Sequence, residues 1–325
     1  MKETSNKEKI FIVLILLAIL VFLAIIIINK SSKKNKTSSL TYDIERYKKT
    51  DENIIDYSEV SSVKLNLNDV SAMAIDKDDN IYVSGDDKLI IFGNSHKEKF
   101  NLTIKEKATA IAVNYEGLIF IGFTDHIKVY SPKGEIVKAW DKFKKNSIIT
   151  SLAVTDDYLF AADSVNKLVI MYDLSGKIIR EIGKKDLKKN IPGFIIPSPY
   201  FDVAIGYEGH LWAVNSGRHS LENYSFNGDL RSSWSQTSMD VKGFSGCCNP
   251  THIAFLSNGC FVTSEKGLIR VKIYDQRGKF KSVVAGPESF SDSTIIEDLA
   301  IDSENSVYVL DSFLKKIRIF KKKEE

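Results

Sequence analysis

Residues 72–83 read AMAIDKDDNIYV: a short apolar strand centred on Ala74, a polar Asp/Asn turn, and the start of a second strand that carries an aromatic. Alternation broken by a turn of this composition is the mark of a β-hairpin. The unit returns as AIAVNYEGLIFI from Ala110, SLAVTDDYLFAA from Ser151, DVAIGYEGHLWAV from Asp202, HIAFLSNGCFVT from His252 and DLAIDSENSVYVL from Asp298. Aligned, the copies place Ala74, Ala112, Ala153, Ala204, Ala254 and Ala300 at one position, 38 to 51 residues apart. A third strand ending in an aromatic follows, and this period is that of four-stranded blades arranged around an axis. The chain is therefore expected to be all-β, a six-bladed β-propeller. Large apolar residues flank each aligned Ala, as in Met73/Ile75 and Val203/Ile205, and should pack between blades. The Ala marks where the innermost strands crowd the axis and only a small side chain fits.

The copy from Asp298 supplies only three strands before KKKEE. Residues 60–67, with Val63, Leu65 and Leu67 alternating against polar neighbours, are expected to pair with residues 317–320 as the missing fourth. Closure by an N-terminal strand removes the open sheet edges that invite aggregation.

Ahead of that strand, residues 10–28 form an apolar run of about nineteen residues without a charge, Gly or Pro. At 1.5 Å per residue such a helix nearly spans a hydrocarbon core. A cleavable signal would be shorter and end in small residues, so the run reads as an uncleaved single transmembrane helix. The expected organisation is a polar tail over residues 1–9, the membrane helix over 10–29, a linker or docking segment over 30–58 and the propeller over 59–322. Lysines flank the run on both sides, so the positive-inside rule favours neither orientation. The short tail ahead of the helix points to an extracytoplasmic propeller. The formal charge is only +3, from 45 Lys and Arg against 42 Asp and Glu, with lysines gathered at the two ends. That leaves no concentrated basic face and argues against nucleic acid as a partner. Three cysteines are too few for a disulfide framework.

FAADSVNKLVIMYD from Phe160, YVLDSFLKKIRIF from Tyr308 and, with departures, WAVNSGRHSLENYSF from Trp212 resemble the NHL repeat, whose pattern is similar to YVADSxNxRIxVF. The resemblance extends over almost all of residues 60–321. It implies a propeller, and a function among RNA binding, protein scaffolding, lyase chemistry and sensing. Asp163, Asn215 and Asp311 match a family position whose role is turn hydrogen bonding. Lyases of related fold place histidines from several blades around a channel zinc, a pattern from which this sequence departs.

The loops entering blades 4, 5 and 6, about residues 189–201, 241–251 and 286–297, are the longest, so one side of that face is the candidate site. Within it stands Gly-Cys247-Cys248-Asn249-Pro. Adjacent cysteines suit a tight structural turn or vicinal disulfide first, and thiolate ligands or a redox pair second. Cys260, next to Phe261, reads as core. Two residues ahead of the aligned Ala stand Asp202, His252 and Asp298 in consecutive blades. Converging at the channel mouth, they either hold a divalent metal, without any CxxC or HExxH spacing to support it, or cap strand ends. The loops between second and third strands add His126, Arg218, His219, Glu265 and Lys266 to the same face. Glu265, Lys266 and Arg270 either bind an anion or form a surface ion-pair cluster.

The function expected is a membrane-tethered binding or scaffolding module that takes a protein partner or small ligand on the blade 4–6 face. No catalytic motif is present. The alternatives are a metal-dependent hydrolase or lyase at the channel mouth and a redox-active vicinal cysteine site.

Overall fold

The computed structural model describes residues 14–15, 17, 19–25 and 44–324. Two compact units result, Met1–Arg46 and Tyr47–Glu325. In the first, residues 14–15, 17 and 19–25 are helical. No helix among the described residues is long and apolar enough to cross a membrane. The rest of the apolar run, the polar tail and most of the linker lie outside the described residues.

The second unit holds six four-stranded sheets. Blades 1 to 5 span residues 72–103, 110–140, 149–182, 203–235 and 253–285, each laid down from inner to outer strand in chain order. Blade 6 takes three strands from residues 296–322, and its outermost strand is Tyr57–Lys64. That strand pairs antiparallel with Lys316–Lys322, matching Val63 with Ile317 and Ser61 with Ile319. It begins and ends three residues before the expected segment: Leu65 and Leu67 lie past its end but remain buried. A register shift between Glu59 and Ser61 turns Val60 outward, so the alternation stops there. Arg318 locks the closure with Nη2 2.6 Å from Oε2 of Glu59. Ahead of the strand, Ile55 bridges in parallel to Val283, so residues 47–56 pack on the rim of blade 5.

Six apolar clusters form the interior, one between each pair of blades, and they share a grammar. Ala300 of blade 6 packs with Met73 of blade 1. Ala74 then meets Ile111, Ala112 meets Leu152, Ala153 meets Val203, Ala204 meets Ile253 and Ala254 meets Leu299. Side chains on one strand alternate between sheet faces. The residues flanking each Ala therefore face the preceding blade, while the Ala faces the next. Its smallness is set by the large apolar residue that the following blade inserts. Toward the outside, turn glycines interlock the blades. Gly278 of blade 5, at φ +78°, would place a Cβ 2.3 Å from Cδ2 of Trp234 in blade 4. Glycine alone combines that backbone with that contact.

Enlarging an aligned Ala should therefore act as overpacking. Ala153→Leu is expected to lower stability by roughly 1–3 kcal/mol. Chemical denaturation checks it, and an unchanged midpoint would contradict the assignment of this position to the blade interface.

Candidate functional site

The connection into blade 5 and its loop between second and third strands lie side by side, as the antiparallel blade requires. Asn249, almost fully buried, stitches them together: its Nδ2 donates to the carbonyls of Ser245 (2.6 Å) and Lys266 (3.0 Å), and its Oδ1 accepts from the Lys266 amide at 2.9 Å. This clamp sets the Cys-Cys turn against Lys266. Cys247 is exposed and Cys248 buried, both are free thiols, and their Sγ atoms lie 3.0 Å apart. Burial raises the Cys248 thiol, but hydrogen bonds from Ser198 and Cys247 and the Lys266 ammonium outweigh it and hold Cys248 below the ordinary thiol range. The shared proton with Cys248 pushes Cys247 up instead. Lys266 Nζ donates to Ser198 Oγ at 3.2 Å and sits 4.4 Å from the Tyr200 ring centroid, a cation–π distance. Tyr200 in turn lies edge-on to His252, with ring centroids 6.4 Å apart.

Asp202, His252 and Asp298 line one axial cavity of about 310 Å³, together with Ser151 and Glu297. All but Glu297 link their blade to the next. Ser151 Oγ accepts from the Val203 amide at 3.2 Å. Asp202 accepts from Val203 (2.9 Å) and, across the blade boundary, from Ile253 (2.7 Å). His252 Nε2 donates to the Ile296 carbonyl at 3.1 Å. Asp298 accepts from Leu299 and, closing the ring, from Met73, both at 2.8 Å. The strand-capping reading thus has a definite form, four side chains stitching blade 3 through to blade 1. Burial pushes both Asp202 and Asp298 above the ordinary carboxylate range, with Asp202 adding to the rise at Asp298. Burial lowers His252 against the pull of Asp202. Glu297, a channel residue the sequence did not single out, is raised to about 7 by burial and then by Asp69. His252 Nε2 is committed to Ile296, and its Nδ1 lies 3.9 Å from Asp202 Oδ2. Among the described residues no group of three or more His, Cys, Asp and Glu is gathered closely enough to hold a metal ion.

Glu265 and Arg270 are not on the surface. Both are almost fully buried, with Lys272 completely so. Arg270 grips Glu265 through Nε (2.6 Å) and Nη2 (2.9 Å), while Lys272 Nζ lies 2.8 Å from the same carboxylate. The spare donors reach the carbonyls of Met239 and Gly243. A surface ion pair would hold little; this triad pins the long loop into blade 5, which carries the cysteines, from below. Burial would raise Glu265, but Lys272 and Arg270 override it and hold the carboxyl low. Burial pushes Lys272 down to about 8 against the attraction of Glu265. Lys272 was missed because VKIYD alternates like a half-exposed strand, whereas a strand inside a blade is covered on both faces. The clue lay in the repeat: Glu222, Lys272 and Arg318 occupy one register position in blades 4, 5 and 6, and all are buried. Glu222 is held by Asn215 and Tyr224, each at 2.7 Å, and Arg318 by Asp311 and Glu59. Asp163 likewise ties its own turn, accepting from the amides of Val165 and Asn166.

Of the remaining candidates, Arg218 is exposed at the end of the turn Ser216–Arg218 and pairs with no carboxylate among the described residues. His219 Nδ1 meets Thr237 Oγ1 at 3.1 Å, and His126 is paired with Asp125 and Glu106 in blade 2. Cys260 is half-buried beside the core between blades 5 and 6. Ser198 and Tyr200 belong to a loop the sequence marked as long, but nothing periodic in it distinguished them.

With this geometry in view, solved structures supply the comparison. A streptogramin B lyase superposes with a TM-score of 0.58 at 12% identity, covering 84% of this chain and 100% of that one. The fold is the six-bladed propeller of that lyase. Virginiamycin B lyase from Staphylococcus aureus agrees: a catalytically inactive variant with quinupristin gives 0.56 at 14% identity over 78% of this chain and 80% of that chain, and the selenomethionine-substituted protein gives 0.56 at 11% over 82% and 99%. No protein-family model and no curated protein matches the chain. At these identities the likeness concerns architecture, and chemistry has to be argued from the residues.

The buried triad gives a pH dependence of definite sign. Lys272 titrates near 8 when folded and near 10.5 when unfolded, so between these values the unfolded chain binds more protons and stability rises with pH. Urea midpoints measured from pH 7.5 to about 9.5, below tyrosine ionisation, should show this rise, and Lys272→Met should flatten it. An equal slope in the variant would rule out the buried ammonium as its source.

Proposed function

We propose that this chain is a membrane-tethered, NHL-type propeller that works as a binding module, taking a protein partner or a small ligand at the blade 4–6 mouth. One observation carries the reading. Asp202, Asp298 and His252 along the channel are consumed in holding blades together, whereas Cys247, Lys266 and Tyr200 present a thiol, a cation and an aromatic ring side by side, with Tyr200 edge-on to His252. Such a set recognises rather than turns over, since no group there is placed as a general base beside a nucleophile with an oriented third partner. The apolar run over residues 10–28 supports the tether. If so, full-length protein stays with membranes through an alkaline carbonate wash. Crosslinking in those membranes should capture a partner that is lost when Cys247→Ser, Cys248→Ser and Lys266→Ala are combined. Undiminished capture by the triple variant would move the binding surface elsewhere.

The 3.0 Å approach of the two Sγ atoms favours a second reading, a redox-active vicinal pair. Exposed Cys247, giving up its proton to the Cys248 sulfur 3.0 Å away, would attack an external low-molecular-weight disulfide, releasing one thiol. Cys248, eased toward its thiolate by Lys266 and Ser198, would then displace the second. The chain gives up two electrons and two protons, an S–S bond forms between Cys247 and Cys248, and the oxidant leaves as two thiols. Oxidised glutathione should therefore yield an intramolecular Cys247–Cys248 disulfide in intact-mass and peptide mapping. Stable glutathione adducts without ring closure would defeat the redox reading while leaving the binding reading untouched.

A further inference from the structure

On the opposite edge of the blades, where the turns after first and third strands lie, blades 4 and 5 part to leave a cavity of about 530 Å³. Its apolar wall is an aromatic cluster: Trp212 stands edge-on to Phe261 with centroids 4.7 Å apart, and Phe255 lies 4.9 Å from Phe261. Set into this wall is Asn223, 4% exposed, whose Oδ1 has no hydrogen-bond partner. A buried unpaired amide is costly, and native structures satisfy nearly all such groups.

The repeat shows how unusual that amide is. Asn223 lies opposite Trp212 in the third strand of its blade. The same register position in the other five blades holds Ile91, Val129, Met171, Ile273 and Ile319, all buried. Packing asks for an aliphatic side chain there, and blade 4 alone supplies a donor and acceptor.

The turn position that follows the first strand, Asp76, Asn114, Thr155, Gly206, Leu256 and Asp302 in blades 1 to 6, bears on the space beside it. The turn after the first strand begins with Asp76 in blade 1 and Asp302 in blade 6, each tying its own turn and accepting from the hydroxyl of Tyr82 or Tyr308. Blade 4 has Gly206 instead, where a Cβ would lie 2.7 Å from Cδ1 of Trp212. The glycine admits the indole of Trp212 and puts no side chain of its own into the groove. At the rim stand Arg231 and Arg277, both exposed and without an ion pair among the described residues, and one carboxylate, Glu208, which faces His210 Nδ1 at 3.5 Å.

We propose that this cavity is a binding site for a small planar aromatic anion, separate from the cysteine face. The rings cover its faces, the Asn223 amide bonds a polar edge of the ring system, and the two guanidiniums take the carboxylate or equivalent group. An aromatic wall with a few convergent polar groups is the usual make-up of a small-molecule pocket, and the planar guanidinium fork suits an oxyanion.

Indole-3-acetate and its uncharged counterpart indole-3-acetamide separate the parts of this assignment. Equilibrium dialysis against full-length protein in lipid nanodiscs, with empty nanodiscs as blank, should show saturable binding of the acetate and at least about tenfold weaker binding of the amide, the scale expected of a charge-assisted contact. Arg231→Ala with Arg277→Ala should remove that preference without altering the thermal midpoint. Asn223→Leu should abolish binding while leaving the midpoint equal or higher, because an unpaired amide gives way to the aliphatic the position otherwise takes. Failure of either probe to saturate at millimolar concentration, equal affinity for the two probes, or undiminished acetate binding in the arginine double variant would each overturn the proposal. So would a lowered midpoint with unchanged binding in Asn223→Leu, which would make the amide structural.

Discussion

The molecule depends on one steric constraint, the meeting of an alanine from each innermost strand with a large apolar residue from the next blade. Six such contacts, from Ala300 against Met73 round to Ala254 against Leu299, close a ring in which every blade is both wedge and socket. Near the axis the strands converge, so one side of the contact must be small and the other must fill the gap. A channel remains only because small and large alternate in this way. Everything polar in the centre is then arranged around an apolar lattice that is already determined.

That lattice explains why two of the channel carboxylates act as fasteners. Asp202 and Asp298 stand where one inner strand begins beside another, and each accepts an amide from the neighbouring blade that would otherwise lack a partner. Ser151 does the same with a weaker acceptor, and His252 inverts the polarity by donating to a carbonyl. Blades 1 and 2 have Ala72 and Ala110 there and rely on packing. The cost of burying Asp298 appears as a raised carboxyl, an electrostatic burden accepted to complete the hydrogen bonding of the ring.

The two faces of blades 4 and 5 differ accordingly. On one, the triad of Glu265, Arg270 and Lys272 and the Asn249 clamp hold a long loop so that Cys247, Cys248 and Lys266 project toward the channel mouth. On the other, an aromatic groove retains an amide that no neighbour satisfies. The amide in that groove is a departure at a position where the remaining blades keep to an aliphatic pattern. A repeat architecture makes such departures legible, because each blade serves as a control for the others.

Period, blade number and the closing strand were all readable in the chain, since Ala spacing and strand alternation are local consequences of side-chain size and backbone pleat. The sequence also marked the blade 4–6 face through loop length, and named Asp202, His252 and Asp298 as a group. It could not say whether those side chains point into open channel or into the backbone of the next blade, because that depends on amides about fifty residues away in one case and more than two hundred in another. Burial misled it at Glu265 and Arg270 and hid Lys272: charge reads as exposure in a linear pattern, yet a strand between two blades has no solvent face. The meeting of Ser198, Tyr200 and Lys266 around Cys248 was likewise decided only when the ring closed, by contacts between loops that carry no periodicity of their own.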